Sequence, residues 1–267
     1  MVADFEYDGI KLSDMGYTIV TFDGAKDGEI DTDSQYSFNH ASMMMGKQQP
    51  FLTSVYDDYL IMEFYIAKNM CQHEQMEDYN ISPSNMAYLK KWLIRPTPHK
   101  LKAISDAYSG YYWIGTFNVE EYVLGDGRIG AHLKFECDAP FGYKNEVTIN
   151  GSLDANEYFE YNCTSDEIGW IYPELEIVVL ESGNLKIKND FDGRITSINN
   201  CRANEKITIT SKLQISSDYN THKIADDFNY VHYRVNNSMG YSLNTIESNL
   251  PIRFKIRYSP YAKVVIV

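Results

Sequence analysis

The 267-residue chain has no apolar run of the roughly 20 residues that a membrane-crossing helix requires. Its first residues, MVADFEYDGI, lack the basic and apolar regions of a secretory signal. Cysteine is scarce: Cys71, Cys137, Cys163 and Cys201 stand far apart, with no CxxC spacing. Without an export signal, such thiols are expected to be reduced and mostly buried. Positive charge is short as well, with 24 Lys and Arg against 37 Asp and Glu, a net charge of −13. Residues 1–142 carry 21 acidic and 11 basic side chains, net −10, and residues 143–267 carry 16 and 13, net −3. Binding to phosphate backbones needs a basic footprint, so this balance argues against it. It leaves room for nucleic acid that passes close by and is repelled.

The signatures of catalysis are missing too. There is no GxGxxG or GxxxxGK[ST] loop to cradle phosphate, and no GxSxG elbow to present a serine. The six histidines are scattered, and the closest metal-like pair, Cys71 and His73, has no third ligand nearby in sequence. The acidic loop Asp23–Asp33 resembles a calcium loop only superficially. Placing Gly28 at the glycine of an EF-hand puts Ala25 and Ser34 where carboxylate or carbonyl oxygens are needed. Asp57-Asp58, Glu120-Glu121 and Asp226-Asp227 are sequence neighbours, which in extended chain point to opposite faces and make poor acid–base partners. We therefore expect no catalytic residue, no metal and no cofactor, and a protein that is not an enzyme.

What the chain does have is pattern. With 44% apolar and 23% charged residues it has a globular composition, and its 22 tyrosines suit half-buried surfaces and interfaces. The clearest pattern runs from Tyr111 to Tyr143. Ile129, Ala131, Leu133, Phe135 and Cys137 alternate with polar residues or glycine, the period of a half-buried strand. Trp113, Phe117 and Val119 hold the inward positions of the preceding arm, and Leu124-Gly125-Asp126-Gly127 supplies a hairpin turn. The run ends at Asp138, Pro140, Gly142 and Tyr143, which read as the joint between two domains, 1–142 and 143–267.

Upstream, Gln35–Ala41 and Phe51–Tyr56 read as strands around Met43, Met44 and Met45, either core residues or an adaptable patch for another chain. Tyr59–Lys68 is apolar on both faces except at Glu63, which predicts a doubly covered strand. Ser82 as N-cap, Pro83 at the first helical position, and Met86, Leu89, Trp92 and Leu93 predict one helix, which Pro96 and Pro98 stop. Downstream come short strands: Glu174–Leu180, Leu185–Lys188, Arg194–Asn199, then Ile207, Ile209, Leu213 and Ile215 in one phase. Phe228–Val235, Tyr241–Ile246 and Ile252–Tyr258 follow, with no helix signal. Such spacing predicts an antiparallel sandwich or jelly roll.

Several segments together resemble the distal tail protein (Dit) family of long-tailed phages. They are FEYDGIKLSDMGY, SPSNMAYLKKWLIRPTPHKL, YYWIGTFNVEEYVL, LKFECDAPFGY, PELEI, GNLKIKNDFDGRI, EKITI, FNYVHYRV and PIRFKIRYSPYAKV. The resemblance implies a mainly β protein: an N-terminal β-sandwich-like ring domain with one helix, and a C-terminal galectin-like or carbohydrate-module-like β-sandwich. It implies a homo-hexameric hub ring at the virion tail tip, assembled in the host cytoplasm, with no membrane insertion. Its partners would be the tail tube protein on one side and the tail-associated tip protein on the other, with DNA passing through the lumen unbound. The length leaves no room for an inserted sugar-binding module, so the compact form is expected. Met43–Met45 would contribute to the ring contact. A second reading is glycan adhesion through the C-terminal sandwich. Of the aromatics available there (Trp170, Tyr172, Tyr219, Tyr230, Tyr233 and Tyr241), Trp170, Tyr172 and Tyr233 are the leading contacts.

Overall fold

The computed structural model describes residues 4–21, 36–41, 51–56, 59–69 and 79–266. The chain divides into two compact units, Met1–Tyr143 with Lys263–Val267, and Lys144–Ala262.

In the first unit the chain order is β1 (Phe5–Tyr7), β2 (Ile10–Lys11), β3 (Tyr17–Val20), β4 (Tyr36–Ala41), β5 (Phe51–Tyr56) and β6 (Ile61–Lys68). Then come α1 (Pro83–Leu93), β7 (His99–Ala103), β8 (Tyr111–Leu124), β9 (Gly127–Cys137) and β10 (Gly142–Lys144). The main sheet is ordered β2-β1-β7-β8-β9-β6-β3, and β4 and β5 form a separate hairpin. The period-two pattern at Tyr111–Cys137 becomes the β8–β9 hairpin, with Gly125 at φ +61 in its turn. Trp113, Phe117, Ala131, Leu133, Phe135 and Cys137 line its buried face. Helix α1 starts where the capping logic puts it: the Ser82 hydroxyl accepts from the Asn85 amide at 3.2 Å, and Pro83 opens the first turn. Met86, Leu89, Trp92 and Leu93 are buried. Each large apolar side chain buried this way stabilises by about 1.5–3 kcal/mol, so packing rather than propensity holds the helix. The Trp92 indole N–H donates to the Tyr7 carbonyl at 3.2 Å and its ring stacks near Phe5, tying the helix to β1.

Two expectations change here. Tyr59–Lys68 was expected to be covered on both faces, but β6 buries only Met62, Phe64 and Ile66. On its other face Tyr65 stacks on His132, and Glu63 takes the same ring's Nε2 at 3.2 Å. Long amphipathic side chains cover that face without removing it from water. The second change concerns the C-terminus, which was assigned wholly to residues 143–267. Residues 263–267 belong to the first unit, where Ile266 is buried and Val264 and Val265 pack against the core.

The second unit contains β11 (Val147–Leu153), β12 (Glu157–Asn162), β13 (Gly169–Ile171), β14 (Glu174–Val179), β15 (Gly183–Lys188) and β16 (Ile195–Cys201). It continues with β17 (Lys206–Ile209), β18 (Ile215–Ser217), α2 (Ile224–Asp227), β19 (Val235–Asn237), β20 (Leu243–Ser248), β21 (Ile252–Tyr258) and β22 (Tyr261–Ala262). A five-stranded sheet β11-β21-β14-β17-β18 and a four-stranded sheet β12-β20-β15-β16 are antiparallel throughout. They share one core, in which Leu175, Ile177, Ile256 and Phe254 of the first sheet meet Leu185, Ile187, Ile198 and Ile246 of the second. That is the predicted sandwich. Leu213 leaves the predicted phase because it sits in a tight turn at φ +62. Phe228–Val235 is strand only from Val235. Asn229 Oδ1 accepts the Ser197 and Val231 amides, and Tyr230 is left-handed at φ +57, so the backbone cannot run extended. The four-residue helix α2 was not expected.

Candidate functional site

The predicted joint residues pack within the first unit. The Tyr143 hydroxyl donates to Asp138 Oδ1 at 3.2 Å, and the Tyr143 ring stacks on Tyr112 at 5.3 Å. Burial pushes the Asp138 carboxyl above its ordinary range, a rise that the Tyr143 hydrogen bond opposes. The Asp138 amide bonds the Ile114 carbonyl at 2.8 Å, and the Ala139 carbonyl accepts from Leu60 at 3.2 Å. After Pro140, Gly142 opens β10, which pairs with β8, and the first unit gives way to the second after Tyr143. Gly142 is required at that point. A Cβ there would lie 2.6 Å from Trp113 Nε1, the atom that donates to the Val264 carbonyl at 3.0 Å.

Met43, Met44 and Met45 lie outside the described residues, as do the acidic loop, Asp57-Asp58 and the Cys71–His73 pair. Among the described residues, no group of three or more His, Cys, Asp or Glu stands where it could hold a metal ion. No described helix is long and apolar enough to cross a membrane. Cys137, Cys163 and Cys201 are free and buried. Burial raises all three thiols, Cys201 to about 11, so they are unreactive at neutral pH.

The three aromatics proposed for glycan contact separate. Tyr233 is only 4% exposed, and its hydroxyl bonds Tyr161 Oη at 2.7 Å and the Thr245 carbonyl at 2.6 Å. It is a core residue, and burial pushes its phenol well up. Tyr172 sets its ring edge-on to His232. Trp170 alone offers a surface: it is 54% exposed, with the Arg234 guanidinium 4.3 Å from its ring centroid. Arg234 is held by Asp192 at 2.6 Å, and Asp192 also accepts from Asn236, which pairs with Trp170 across β13 and β19. Beneath them Asn244 Oδ1 accepts from Asn189 and from the Asn236 amide, both at 2.8 Å. Arg234, Asp192 and Asn236 were missed in the sequence. The alternation Arg234-Val235-Asn236 was the available signal, but it did not point to Trp170.

One buried cluster has the residue types of a hydrolase. His222 Nδ1 lies 2.5 Å from Glu205 Oε1, and the Ser217 hydroxyl donates to the same oxygen at 2.5 Å. Serine and histidine thus share one carboxylate oxygen instead of standing in relay, so histidine cannot take the serine proton as a nucleophilic triad requires. Burial pushes the Glu205 carboxyl up, but hydrogen bonds from Ser217, His222 and the Arg202 amide outweigh it and hold the group below its usual range. The cluster ties the segment that carries α2 to the sandwich.

Residues 1–139 match the family model of a phage tail protein N-terminal domain, and residues 141–258 that of a phage tail C-terminal domain. The chain belongs to the phage tail proteins. Among solved structures, this tail protein is similar to the Dit protein (gp 19.1) of SPP1, described as a paradigm of hub adsorption apparatus in phages that infect Gram-positive hosts. The two are 14% identical with a TM-score of 0.68, over 97% of this chain and 99% of the other. The tail protein therefore has the distal tail protein fold, mainly β and in two units. No curated protein matches it.

Proposed function

We propose that this phage tail protein is the distal tail protein of a long-tailed phage, a non-enzymatic hub that joins the tail tube to the tail-associated tip protein. The observation that carries the reading is the likeness to a hub protein over nearly the full length of both chains. In this reading six copies form a ring at the virion tail tip, assembled in the host cytoplasm, with DNA passing through its lumen. Residues 1–142, joined by the C-terminal segment from Lys263, form the ring, and the rest of residues 143–267 forms an outward, galectin-like sandwich. Asp138–Tyr143 is the joint through which the chain first passes from one unit to the other, and Met43–Met45 belong to the contact between copies. The net charge of −10 on residues 1–142 keeps DNA from adhering, through repulsion that decays over about 8 Å at physiological salt. Negative-stain images of the purified protein should show six-fold rings with a central hole, and antibody labelling should mark the tail tip of virions. Label on the capsid or along the whole tube would overturn the assignment, and a basic lumen in the assembled ring would overturn the repulsion.

A second reading, glycan adhesion, is favoured by one observation: Trp170 is an exposed indole fixed from one side by the Arg234–Asp192 pair. A flat aromatic face held in place suits the C–H face of a pyranose ring. Of the three tryptophans, Trp92 and Trp113 are buried, so acrylamide quenching reports mainly on Trp170. Protection by oligosaccharides from the host wall would support adhesion, and equal quenching with and without them would remove it.

A further inference from the structure

We propose that the outer face of β13 and β19 binds an anionic sugar, with its ring on Trp170 and its carboxylate or phosphate on Arg194 and His232. The inference rests on the glycan reading and names the class of ligand. Ile171, Tyr233 and Val235 are buried in the core of the second unit. Alternation along extended chain therefore turns Trp170, Tyr172, His232 and Arg234 to the other side. Tyr172 links the two ends of this face. It lies two residues from Trp170, about 7 Å along the chain, and its ring stands edge-on to His232 with centroids 6.3 Å apart. Phe228 closes the back, edge-on to His232 at 5.0 Å. The Arg194 amide bonds Asp192 Oδ1 at 3.1 Å, and Asp192 in turn holds Arg234 beside the indole. Burial, and then the Arg194 charge, press the His232 imidazole below its ordinary value, so these two side chains are neighbours.

The decisive feature is a cation without a counter-charge. Arg234 and Arg257 are half-buried like Arg194, and each holds a carboxylate, Asp192 in one case and Glu174 with Glu176 in the other. Arg194 holds none among the described residues, and its Nε is buried with no hydrogen-bond partner. Taking a charge out of water costs free energy unless an opposite charge or hydrogen bonds offset it. His232 repeats the pattern, with Nδ1 buried and unpartnered. In both side chains the atoms left to meet a ligand are the outer ones, the Nη groups of Arg194 and Nε2 of His232. A planar guanidinium edge fits two oxygens of a carboxylate or phosphate, and the imidazole can add a further hydrogen bond. Neutral sugar hydroxyls would leave the charge uncompensated. An acidic peptide would satisfy the cation but leave unused the exposed indole, whose flat face suits the C–H side of a pyranose. Asp192 is already paired with Arg234 and Asn236, so it does not take the place of an anion at Arg194.

The test measures protection of Trp170 from acrylamide in the full chain. Trigalacturonate is compared with its methyl ester, glucose 6-phosphate with glucose, and hexaglutamate stands for an acidic peptide. A charged sugar should half-saturate at a concentration about tenfold or more below that of its neutral counterpart. Arg194→Met should erase that difference and leave the neutral sugars as they were. Arg194→Lys, which keeps the charge and loses the planar fork, should lose part of it, and it carries the test if the methionine variant melts lower. Equal protection by charged and neutral sugars, or a preference that Arg194→Met leaves intact, would overturn the inference while the glycan reading stands. Hexaglutamate protecting as well as the charged sugars would also overturn it, in favour of an acidic protein segment. If none of these probes protects Trp170 but wall oligosaccharides do, the anionic class alone falls. If no saccharide protects it, both readings fall together.

Discussion

Replacing Gly142 with alanine tests the packing that holds the two ends of the first unit together. Gly142 is not at positive φ, so its backbone accepts alanine and the effect is steric. The new Cβ would lie 2.6 Å from Trp113 Nε1, 3.0 Å from Cδ1 and 3.1 Å from Cε2. Trp113 is fully buried and cannot swing into solvent. Overpacking of this kind costs about 1–3 kcal/mol. Moving the indole also strains its hydrogen bond to the Val264 carbonyl, worth about 0.5–1.5 kcal/mol. Against this, losing a glycine restricts the unfolded chain and returns about 0.4–1 kcal/mol. The net expectation is destabilisation by about 1–3 kcal/mol, read as a fall in melting temperature of roughly 2–12 °C for a unit of this size. Urea unfolding followed by calorimetry measures it. In a Trp113→Leu background the clash is absent, so the same substitution should cost little, and the cycle isolates the coupling. If Gly142→Ala lies within about 0.5 kcal/mol of wild type, or costs the same in both backgrounds, the packing account fails.

Ending the chain at Ala262 removes Ile266 from the core along with the Trp113 hydrogen bond, and should destabilise the first unit by about 2–4 kcal/mol. Limited proteolysis of that unit would read this as faster cleavage, while the sandwich persists. For Glu205 the folded carboxyl titrates below its unfolded value. Its contribution is therefore complete above the ordinary carboxylate range and is lost as pH falls through the lower folded value. Glu205→Gln should lower the melting temperature at pH 7 and narrow the gap from wild type in acid; a gap constant with pH refutes the linkage. Glu121, bonded to Lys90 and Arg128 at the surface, should by contrast cost under about 1 kcal/mol when changed to alanine, because exposed pairs are screened by water and salt.

The two parts of the chain differ in how far their strands could be read. Where side chains alternate between water and core, as at Ile129–Cys137 and Ile252–Tyr258, the register is written in residue type. The helix was legible for a second reason, since Ser82 and Pro83 have chemistry that fits only its start. Phe228–Val235 misled because its aromatics follow a strand period while Asn229 bonds the backbone locally, a competition that composition does not reveal. Trp170 was visible as an aromatic, but its setting depends on Asp192 and Arg234, brought beside it from distant positions. Tyr233 shows the reverse, an aromatic assigned to the surface that the Tyr161 hydroxyl holds in the core.

The hairpin at Tyr111–Cys137 shows why a strand edge is harder to read than a buried face. Its inward residues bury a face, and burial selects for size and apolarity at every second position. The edge of the same strand is a row of peptide groups, identical whatever the sequence, so pairing there leaves no positive mark on residue type. What it can leave is the absence of protection. Strand β3 carries neither the charge nor the proline that commonly protects an edge strand. That it ends the sheet order among the described residues is seen only once the pairing is known. Tyr17–Val20 holds four plain strand-forming residues, and they are the first place where wrong pairing between copies would begin. Thr18→Lys should therefore reduce aggregation of the purified protein, read as light scattering on warming. Scattering equal to that of wild type, with the melting temperature unchanged, would place the origin of aggregation elsewhere.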